Sequence, residues 1–558
     1  GAPTVHVGAG SYSPIHGESF PVIIDGVDDL GLTIAGAGGG VSQVTIPEGE
    51  DFLRGNDFVA GPVSVSGLSV EANWLDPVLG SADGHLLDLQ GADSISIINN
   101  EALSLGLLDL EWGASVDYPQ TGLDVLVDGN EVVGGEGAVE VYLYAASMTV
   151  DDALEINFTM RDNTFLGIEG VPVEFAFEVS EVIGTADFDL LLEGNYMQDC
   201  SSGIELSASF GGSNLLANYD LTFRDNELAE CGNGFYEYYF AEYTCTVNRV
   251  VEVSNNTMAL TGGVGIEVFT SPDTSLEFSV DVLISDNEIE GAGTGIQIGY
   301  SIDYTGTVAD RNVRIQNNAI SADQKGIFVY SEAYSTGRVG SHDILIEGNS
   351  VRATDSGIHF YNAAYSSATS SFNLNIAKNL IEDCSLGLSV DIWANTGDFD
   401  YDCEIRGNVI LAPQFAPLAG MDSGVIRFEA SGNVNMSDVS FDFDGGHSAL
   451  GFNTLTPRTF PSSSTVLLSA ETGLSPSVSV NMLGNWWGTT DLLEIEDLVF
   501  HGVDASNIAT ADFSNPLADE ILFDVSQANN KITLTAAPLM GFVPYAGDLT
   551  IAVTVDGV

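Results

Sequence analysis

Hydrophobic and polar residues alternate in short runs along most of this chain, and the runs recur at a nearly constant interval. Three segments show the pattern, ISDNEIEGAGTGIQIGY, IQNNAISADQKGIFVY and IEGNSVRATDSGIHFY, which begin at Ile284, Ile315 and Ile346. Alternation with a period of two is typical of strands with one buried side. A repeat of about 31 residues predicts stacked, equivalent structural units.

An asparagine marks the same point of each repeat. Around Asn287, apolar residues stand at Val282 and Ile284 before it and at Ile289 after it. The pattern is shared by eleven asparagines spaced 29 to 33 residues apart: Asn100, Asn130, Asn163, Asn195, Asn226, Asn256, Asn287, Asn318, Asn349, Asn379 and Asn408.

Two positions in each repeat have the composition of corners. The residue before the asparagine is of a type that tolerates left-handed backbone, as at Gly129, Gly194, Gly348, Gly407, Asp162, Asp225, Asp286, Asn255 and Asn317. A second corner follows about eight residues later at a glycine, namely Gly203, Gly234, Gly265, Gly295, Gly326, Gly357 and Gly387. Each repeat is therefore predicted to form one coil, whose strands pair with their counterparts in the next coil.

These coils resemble the right-handed parallel β-helix repeat family, the pectin-lyase-like superfamily, and the asparagine column resembles its internal asparagine ladder. The opening VHVGAGSYSPIHGESF and the later FDFDGGHSALGFNTL and LGNWWG resemble the first and last coils of secreted members. The resemblance implies an all-β, right-handed parallel β-helix of about eleven or more coils with caps at both ends.

The pattern divides the chain into four parts. We expect an N-terminal cap and first coils in residues 1–84, β-helix repeats in 85–425, and final coils with a C-terminal cap in 426–515. Residues 516–558 lose the asparagine register and are predicted to form a β-strand extension or the start of a further Ig-like domain. An unpaired apolar strand there would need a partner.

Charge restricts the partners of the chain. Asp and Glu number 80 against 14 Lys and Arg, which gives a formal net charge of -66. Nucleic acid and anionic lipid both require basic residues and are therefore excluded as partners. Such an acidic protein suits salt-rich or calcium-rich surroundings outside a cell.

No apolar run is long enough to span a membrane, and the N-terminal GAPTVHVGAG lacks the features of a signal peptide, so the numbering could begin after a removed signal.

Five cysteines do not make a disulfide scaffold. Cys200 and Cys231 each lie five residues after their asparagine in adjacent coils, a spacing that permits a disulfide.

Many members of the superfamily cleave acidic polysaccharides, so enzyme activity is an alternative. The basic residues concentrate at Arg311, Arg314, Arg338 and Arg352, with His342 and His359 nearby. Ordinary surface charge on a protein that needs a few Arg for ion pairs is the favoured explanation of this group, and the superfamily's catalytic strings are missing. Acidic pairs at Asp398, Asp400 and Asp402, or at Asp442 and Asp444, could serve a hydrolase, but such pairs are expected in so acidic a chain. We assign no catalytic residue.

Calcium is a possible cofactor. The sequences RDNE at 224–227 and SDNE at 285–288 place carboxylates beside the asparagine corner, with Glu101, Glu131 and Asp162 in neighbouring coils. Carboxylate oxygens are suitable calcium ligands. No known calcium loop occurs, so we name no ligands.

The strand after the second corner carries a candidate contact surface. Its inward positions include Ile296, Ile298, Ile327, Val329, Ile358 and Phe360. Aromatic residues recur at its outward positions, and we call them the aromatic stripe: Tyr236, Tyr238, Phe269, Phe328, Tyr330, His359 and Tyr361. Such a stripe marks contact with a partner or a sugar, unless the connections SIDYTGTVADRN and SEAYSTGRVGSHD fold over it.

The sequence thus favours an extracellular or cell-surface structural or adhesive module that contacts other copies or surface proteins. Assembly into a larger surface structure or filament is a further hypothesis. A polysaccharide lyase or hydrolase is the alternative. A noncatalytic module that binds polysaccharide is the third possibility.

Overall fold

The repeats fold into stacked turns of parallel strands in a computed structural model of the chain. The structure describes residues 4–24, 32–38, 41–47, 50–55, 61–73, 84–115, 121–146, 154–211, 215–242, 245–272, 277–302, 307–334, 338–365, 369–394, 398–411, 424–432, 439–442, 453–455, 466–469, 479–504, 510–518, 524–528 and 531–535. Together the turns form an all-β parallel solenoid of about 12 turns, as predicted.

The first face of the solenoid consists of the strands that precede the asparagine. Equivalent residues of successive turns pair in parallel register, for example Val282 with Val313 and Val313 with Ile344. The strands are Thr4–His6, Leu32–Ala35, Val63–Ser66, Ser94–Ile98, Gly122–Asp128, Leu154–Arg161, Gly184–Glu193, Leu215–Arg224, Thr246–Ser254, Glu277–Ser285, Thr307–Gln316, Arg338–Glu347, Thr369–Ala377, Asp398–Arg406, Val439–Asp442, Ser479–Asn481 and Thr510–Asp512.

The second face consists of short strands, most of which directly follow the asparagine. They are Gly10–Tyr12, Ser42–Pro47, Ser69–Asn73, Glu101–Leu103, Glu131–Val133, Thr164–Leu166, Tyr196–Gln198, Glu227–Cys231, Thr257–Leu260, Ser350–Ala353, Leu380–Glu382, Val409–Leu411 and Thr454–Leu455.

The third face consists of the strands after the second corner. They are Val22–Ile24, Leu53–Gly55, His85–Gln90, Gly106–Ser115, Val139–Ala146, Val173–Ser180, Ile204–Gly211, Phe235–Glu242, Val264–Pro272, Ser356–Ala364, Leu386–Ala394, Gly424–Gly432, Val466–Ser469 and Val499–Phe500. In two turns the second and third faces share one long strand, Glu288–Ile302 and Ala319–Ala333, so the second corner is there only a bend within a strand.

The core lies between the three faces and is built from columns of inward side chains. The predicted inward residues of the third face, among them Ile296, Ile327 and Ile358, are fully buried. Each such side chain contributes about 1.5–3 kcal/mol through burial. Because each turn covers the core of the next, the stack is stable only as a continuous array.

The asparagines form a hydrogen-bonded ladder inside the first corner. The Asn287 side-chain Nδ2 donates to Asn318 Oδ1 at 2.9 Å and to the Val253 carbonyl at 2.9 Å, while the Asn287 backbone N–H donates to the same Asn318 oxygen at 3.0 Å. This pattern runs from Asn100 through the predicted asparagines to Asn408. The predicted column is thus confirmed.

The ladder extends two turns beyond the predicted register. Asn408 donates to Asn453 at 3.0 Å, and Asn453 donates to Asn485 at 2.8 Å. A longer interval between Asn408 and Asn453 interrupts the period. The two asparagines nevertheless keep the local signature, because Leu455 and Trp487 stand two positions after them and are buried.

The two corners need small residues for different reasons. The predicted residues before the asparagines all have positive φ, for example Asp286 at 59° and Gly348 at 72°. At the second corner, by contrast, a Cβ on Gly203 would lie 2.0 Å from the Gly234 carbonyl oxygen in the next turn. Close stacking of turns, rather than a left-handed backbone, therefore requires the second glycine column.

Strands at the N-terminal end continue the solenoid, and a separate hairpin is described near the C-terminus. The first-face register passes from Thr4–His6 to Ser94–Ile98 through intermediate strands. The helix Leu492–Glu496 and the 3-10 turn Pro14–His16 are the helical elements described. Asp524–Ala528 and Lys531–Thr535 pair as an antiparallel hairpin. The segment 516–558 is predicted to be a β-strand extension or the start of a further Ig-like domain. Its residues 519–523, 529–530 and 536–558 lie outside the described residues, so both alternatives stay open.

All five cysteines are buried, and the described residues contain no disulfide. Cys200 and Cys231, which the sequence allowed to bridge, remain thiols in adjacent turns. Their sulfur atoms lie 3.4 Å and 3.7 Å from the Gln198 and Ala229 carbonyl oxygens, respectively. They pack as small apolar side chains.

Candidate functional site

The seven residues of the aromatic stripe lie on the outer side of the third face, as predicted, and all seven are half-buried. They occupy two adjacent columns of the sheet. In one column Phe328 pairs with His359, and in the other Tyr330 pairs with Tyr361. Since stacked positions follow the register of the sheet, the stripe crosses five successive turns without a change of direction.

In the first half of the stripe, the rings pack on one another. The Tyr238 and Phe269 rings are stacked, with centroids 5.0 Å apart and planes 13° apart. The Phe269 and Tyr330 centroids lie 6.1 Å apart although one turn separates the residues. That turn has Gly299, where a Cβ would lie 2.4 Å from Tyr330 and 2.5 Å from Phe269. The missing side chain thus lets the two rings meet.

In the second half, the rings contact charged groups as well. Phe328 lies 5.2 Å from Tyr330 and 4.9 Å from His359, measured between ring centroids. The Lys325 ammonium lies 3.5 Å from the centre of the Phe328 ring, a cation–π contact. His359 Nε2 lies 2.8 Å from an Asp391 carboxylate oxygen.

Tyr236, Tyr330 and Tyr361 of the stripe keep their protons. Burial, followed by repulsion from Glu267, raises the pKa of Tyr236 to about 12. Burial also raises the pKa of Tyr330 and of Tyr361. At neutral pH these phenols therefore offer hydroxyl donors at the edge of an apolar surface.

Towards the N-terminus, the column of Tyr236 becomes acidic. Five carboxylates occupy it in successive turns, and we call them the acidic ladder: Asp88, Asp109, Glu140, Glu174 and Glu205. Burial, followed by repulsion from Asp51 and Asp109, raises the pKa of Asp88 to about 6. Burial and neighbouring carboxylates also raise the pKa of Asp109 and of Glu174. The ladder is thus a row of mutually repelling groups.

Towards the C-terminus, the same face ends in mixed charges. Asp391 and Glu429 are in register on adjacent turns, and Arg427 pairs with Glu429 and lies 4.0 Å from Asp391. A shallow pocket there is lined by Tyr361, Asp391, Ile392, Trp393 and Glu429. The Trp393 ring lies 4.6 Å from Tyr365. Aromatic rings and carboxylates thus meet at this end of the stripe.

The segments that the sequence offered as covers for the stripe are largely strands. Residues 301–302 end the strand Glu288–Ile302, and residues 307–312 begin the strand Thr307–Gln316. Likewise 331–333 and 338–343 belong to strands. These parts belong to the wall of the solenoid and do not cover the stripe. The links 303–306 and 335–337 lie outside the described residues, so the alternative that they cover the stripe stays open.

The basic residues considered for a lyase do not form one surface. Arg311 and His342 are buried inside the solenoid, each only 1% exposed. Arg314 is exposed, and Arg352 is exposed and forms an ion pair with Glu382. The side chain of Arg338 lies outside the described part.

The alternation of the sequence already indicated that Arg311 and His342 are buried. They stand two residues before the inward Val313 and Ile344, and therefore also point inward.

Candidate metal ligands do not converge in the described part of the chain. Among those residues, no group of three or more His, Cys, Asp or Glu is placed to hold a metal ion. Instead, the residues Asp162, Asp225 and Asp286 occupy corner positions with a left-handed backbone. The Asp442 side chain and the whole of Asp444 lie outside the described residues, as do the side chains of Asp398 and Asp400.

Sequence reasoning did not identify the acidic ladder, Gly299, or the group formed by Asp391, Trp393 and Glu429. The ladder was visible in principle, since its members share the register of Tyr236. The group at the C-terminal end was not, because the longer interval before Gly424–Gly432 hides the alignment of Glu429 with Asp391.

The described residues include no helix long and apolar enough to cross a membrane. In comparisons with known proteins, no family model, no curated protein and no solved structure matches the chain.

Proposed function

We propose that this chain is a structural or adhesive module displayed outside the cell, built on a right-handed β-helix of the secreted, pectin-lyase-like type, and that the aromatic stripe is its contact with other copies of the protein. A solenoid suits this role because its turns hold a surface rigidly over many residues. The net charge of -66 supports an extracellular setting, where salt and divalent cations screen it.

The single observation that carries the proposal is the way the stripe's rings are arranged. Tyr238 and Phe269 stack with planes 13° apart, and Phe328 and Tyr330 with planes 23° apart. Rings stacked in this way cover part of one another's faces and leave less open face for a ligand. A sugar binds best on an open ring face, whereas ring edges and phenols suit a protein surface.

The test is self-association of the whole chain, measured by sedimentation velocity over a range of protein, salt and calcium concentrations. We expect association that strengthens as sodium chloride rises, because salt screens repulsion between acidic copies while apolar contact persists. The variants Tyr238→Ser and Phe328→Ser should sediment as monomers. Tyr144→Ser, at a half-exposed tyrosine of the same face outside the stripe, is the matched control.

Monomeric behaviour of the unmodified protein under every condition, together with isolated particles in electron micrographs, would contradict the proposal. Equal association of Tyr144→Ser and Phe328→Ser would show that the stripe is not the contact. Thermal melts of each variant separate loss of contact from loss of fold.

A second candidate function is binding or cleavage of an extracellular glycan at the pocket beside the stripe. The observation in its favour is the meeting of Tyr361 and Trp393 with the carboxylates of Asp391 and Glu429. A glycan array with Tyr361→Ala and Trp393→Ala would test binding, and release of reducing or unsaturated ends would test turnover. Tyr330→Ala, outside the pocket, serves as the comparison.

A further inference from the structure

The interior of the solenoid contains charged residues among its aliphatic columns. Glu237 and Arg249 are 0% and 1% exposed, and Arg311 and His342 are 1% exposed. A buried charge without a partner costs several kcal/mol, so each of these groups needs an explanation.

Arg249 has partners for its charge. Its Nη1 donates to Thr270 Oγ1 at 2.6 Å, in the same turn, and its Nη2 forms an ion pair with Glu237 in the preceding turn. Its guanidinium carbon also lies 5.0 Å from the centre of the Tyr239 ring. Burial raises the pKa of Glu237 to about 7, and the neighbouring Arg249 opposes that rise.

Arg311 occupies the position equivalent to Arg249 two turns further on. In the first face Arg249 pairs with Val280, and Val280 pairs with Arg311. In the third face Thr270 pairs with Tyr300, which pairs with Ser331. The Ser331 hydroxyl therefore has the same position relative to Arg311 that the Thr270 hydroxyl has relative to Arg249.

The carboxylate that pairs with Arg249 is not repeated. Glu237 pairs with Val268, and Val268 pairs with Ile298, so an aliphatic side chain stands where the partner of Arg311 would be expected. Within the described part of the chain, none of the three side-chain nitrogens of Arg311 has a hydrogen-bond partner. The Ser331 hydroxyl also has none.

Tyr300 and His342 also lie beside Arg311. Its guanidinium carbon lies 3.8 Å from the centre of the Tyr300 ring, a contact that leaves its N–H groups unused. His342 pairs with Arg311 in the next turn, and neither of its ring nitrogens has a hydrogen-bond partner among the described residues. Burial, with Arg311 nearby, keeps the pKa of His342 far below its usual value, so its ring is neutral with one N–H.

We propose that a small inorganic anion, chloride, is enclosed at Arg311, where it accepts hydrogen bonds from the guanidinium and from Ser331 and His342. It replaces the carboxylate that Glu237 supplies to Arg249. Water would satisfy the donors but would leave the positive charge uncompensated in a low-dielectric interior. The pKa of Arg311 is lowered by burial to about 9, so at neutral pH the side chain still carries the charge that the anion balances.

The direct test is diffraction from crystals of the unmodified chain, purified in chloride, at a long wavelength where chloride scatters anomalously and water does not. We expect an anomalous peak within hydrogen-bonding distance of the Arg311 guanidinium. Protein refolded in sodium bromide should show the peak at the bromine edge. Water-like density without an anomalous signal would overturn the proposal, as would an ion pair between Arg311 and a carboxylate of the chain.

A variant pair tests the repeat argument. Ile298→Glu places a carboxylate at the position equivalent to Glu237, so we expect it to remove the anomalous peak. Ile298→Gln has the same shape without the charge and should keep the peak.

If Ile298→Glu does not fold, the unmodified protein still decides the question. Refolded in gluconate instead of chloride, at equal ionic strength, it should melt at a lower temperature than in chloride. Equal melting temperatures in the two salts would count against a structural anion.

Discussion

At the scale of single residues, the fold depends on side chains that complete the hydrogen bonding of the buried corner. Asn287 shows why asparagine is required there. Its Oδ1 accepts from both the backbone N–H and the Nδ2 of Asn256, at 3.0 Å and 2.9 Å, while its Nδ2 donates to Asn318 and to the Val253 carbonyl. Only a side chain with both donor and acceptor can do this, so aspartate would not substitute.

We expect Asn287→Ala to lower the free energy of unfolding by about 3 kcal/mol or more, because it leaves buried donors on Asn256 and a buried carbonyl on Val253 without partners. Chemical denaturation measures the change. Asn312→Ala is the control, since its side chain bonds to Asp281 at an exposed site and should shift stability by less than about 0.5 kcal/mol. Similar losses for the two variants would contradict this account of the ladder.

At the scale of elements, the outer side of the third face is a single surface with three zones. The acidic ladder, the aromatic stripe and the charged group at Asp391 follow one another across the successive strands of this face. Gly299 holds the middle zone together, because it lets the Phe269 and Tyr330 rings approach across a turn. This glycine within a strand therefore shapes the proposed contact surface.

Gly299→Ala should destabilise the protein by about 1–3 kcal/mol, since the added methyl group would overlap both rings and force them apart. It should also weaken the self-association proposed for the stripe. Gly113→Ala, in another strand of the same face, is the matched control: the nearest atom to its new Cβ is 3.9 Å away, and we expect no loss of stability. Thermal melts and sedimentation of both variants provide the comparison.

At the scale of the whole molecule, the balance of charge opposes the compact state. With a net charge of -66 and carboxylates stacked in successive turns, the folded chain holds like charges closer together than the unfolded chain does. Burial of Asp88, followed by repulsion from Asp51 and Asp109, raises its pKa to about 6 against an ordinary 3.8, although the ion pair with Arg54 opposes this rise.

Because the pKa of Asp88 is higher in the folded state, the folded protein binds more protons between about pH 4 and pH 6, and this group's contribution to stability falls as the pH rises through that range. We expect a higher melting temperature at pH 5 than at pH 7, with a smaller difference in high salt, since Asp88 is only half-buried.

The variant Asp88→Asn should raise the melting temperature at pH 7 and reduce its change between pH 5 and pH 7. Asp323→Asn, which removes one charge at an exposed site, controls for net charge alone. If Asp88→Asn leaves the pH dependence unchanged, the acidic ladder does not act as described.

The sequence by itself determined the period, the inward columns, the asparagine ladder and the left-handed corners, because each follows from a local pattern that recurs in every turn. It also placed the aromatic stripe on the outer side, since alternation fixes which face a side chain takes. The same alternation, applied to Arg311 and His342, would have placed both side chains inside.

Only the tertiary structure decided what depends on register between turns that are far apart in the chain. It aligned Asn453 with Asn408 and Glu429 with Asp391 across longer intervals. It also placed Ile298 at the position near Arg311 that is equivalent to that of Glu237 near Arg249. The physical reason is that these relations arise from how one turn stacks on the next, and a change in the length of a connection alters their spacing in sequence while leaving their position in the stack unchanged.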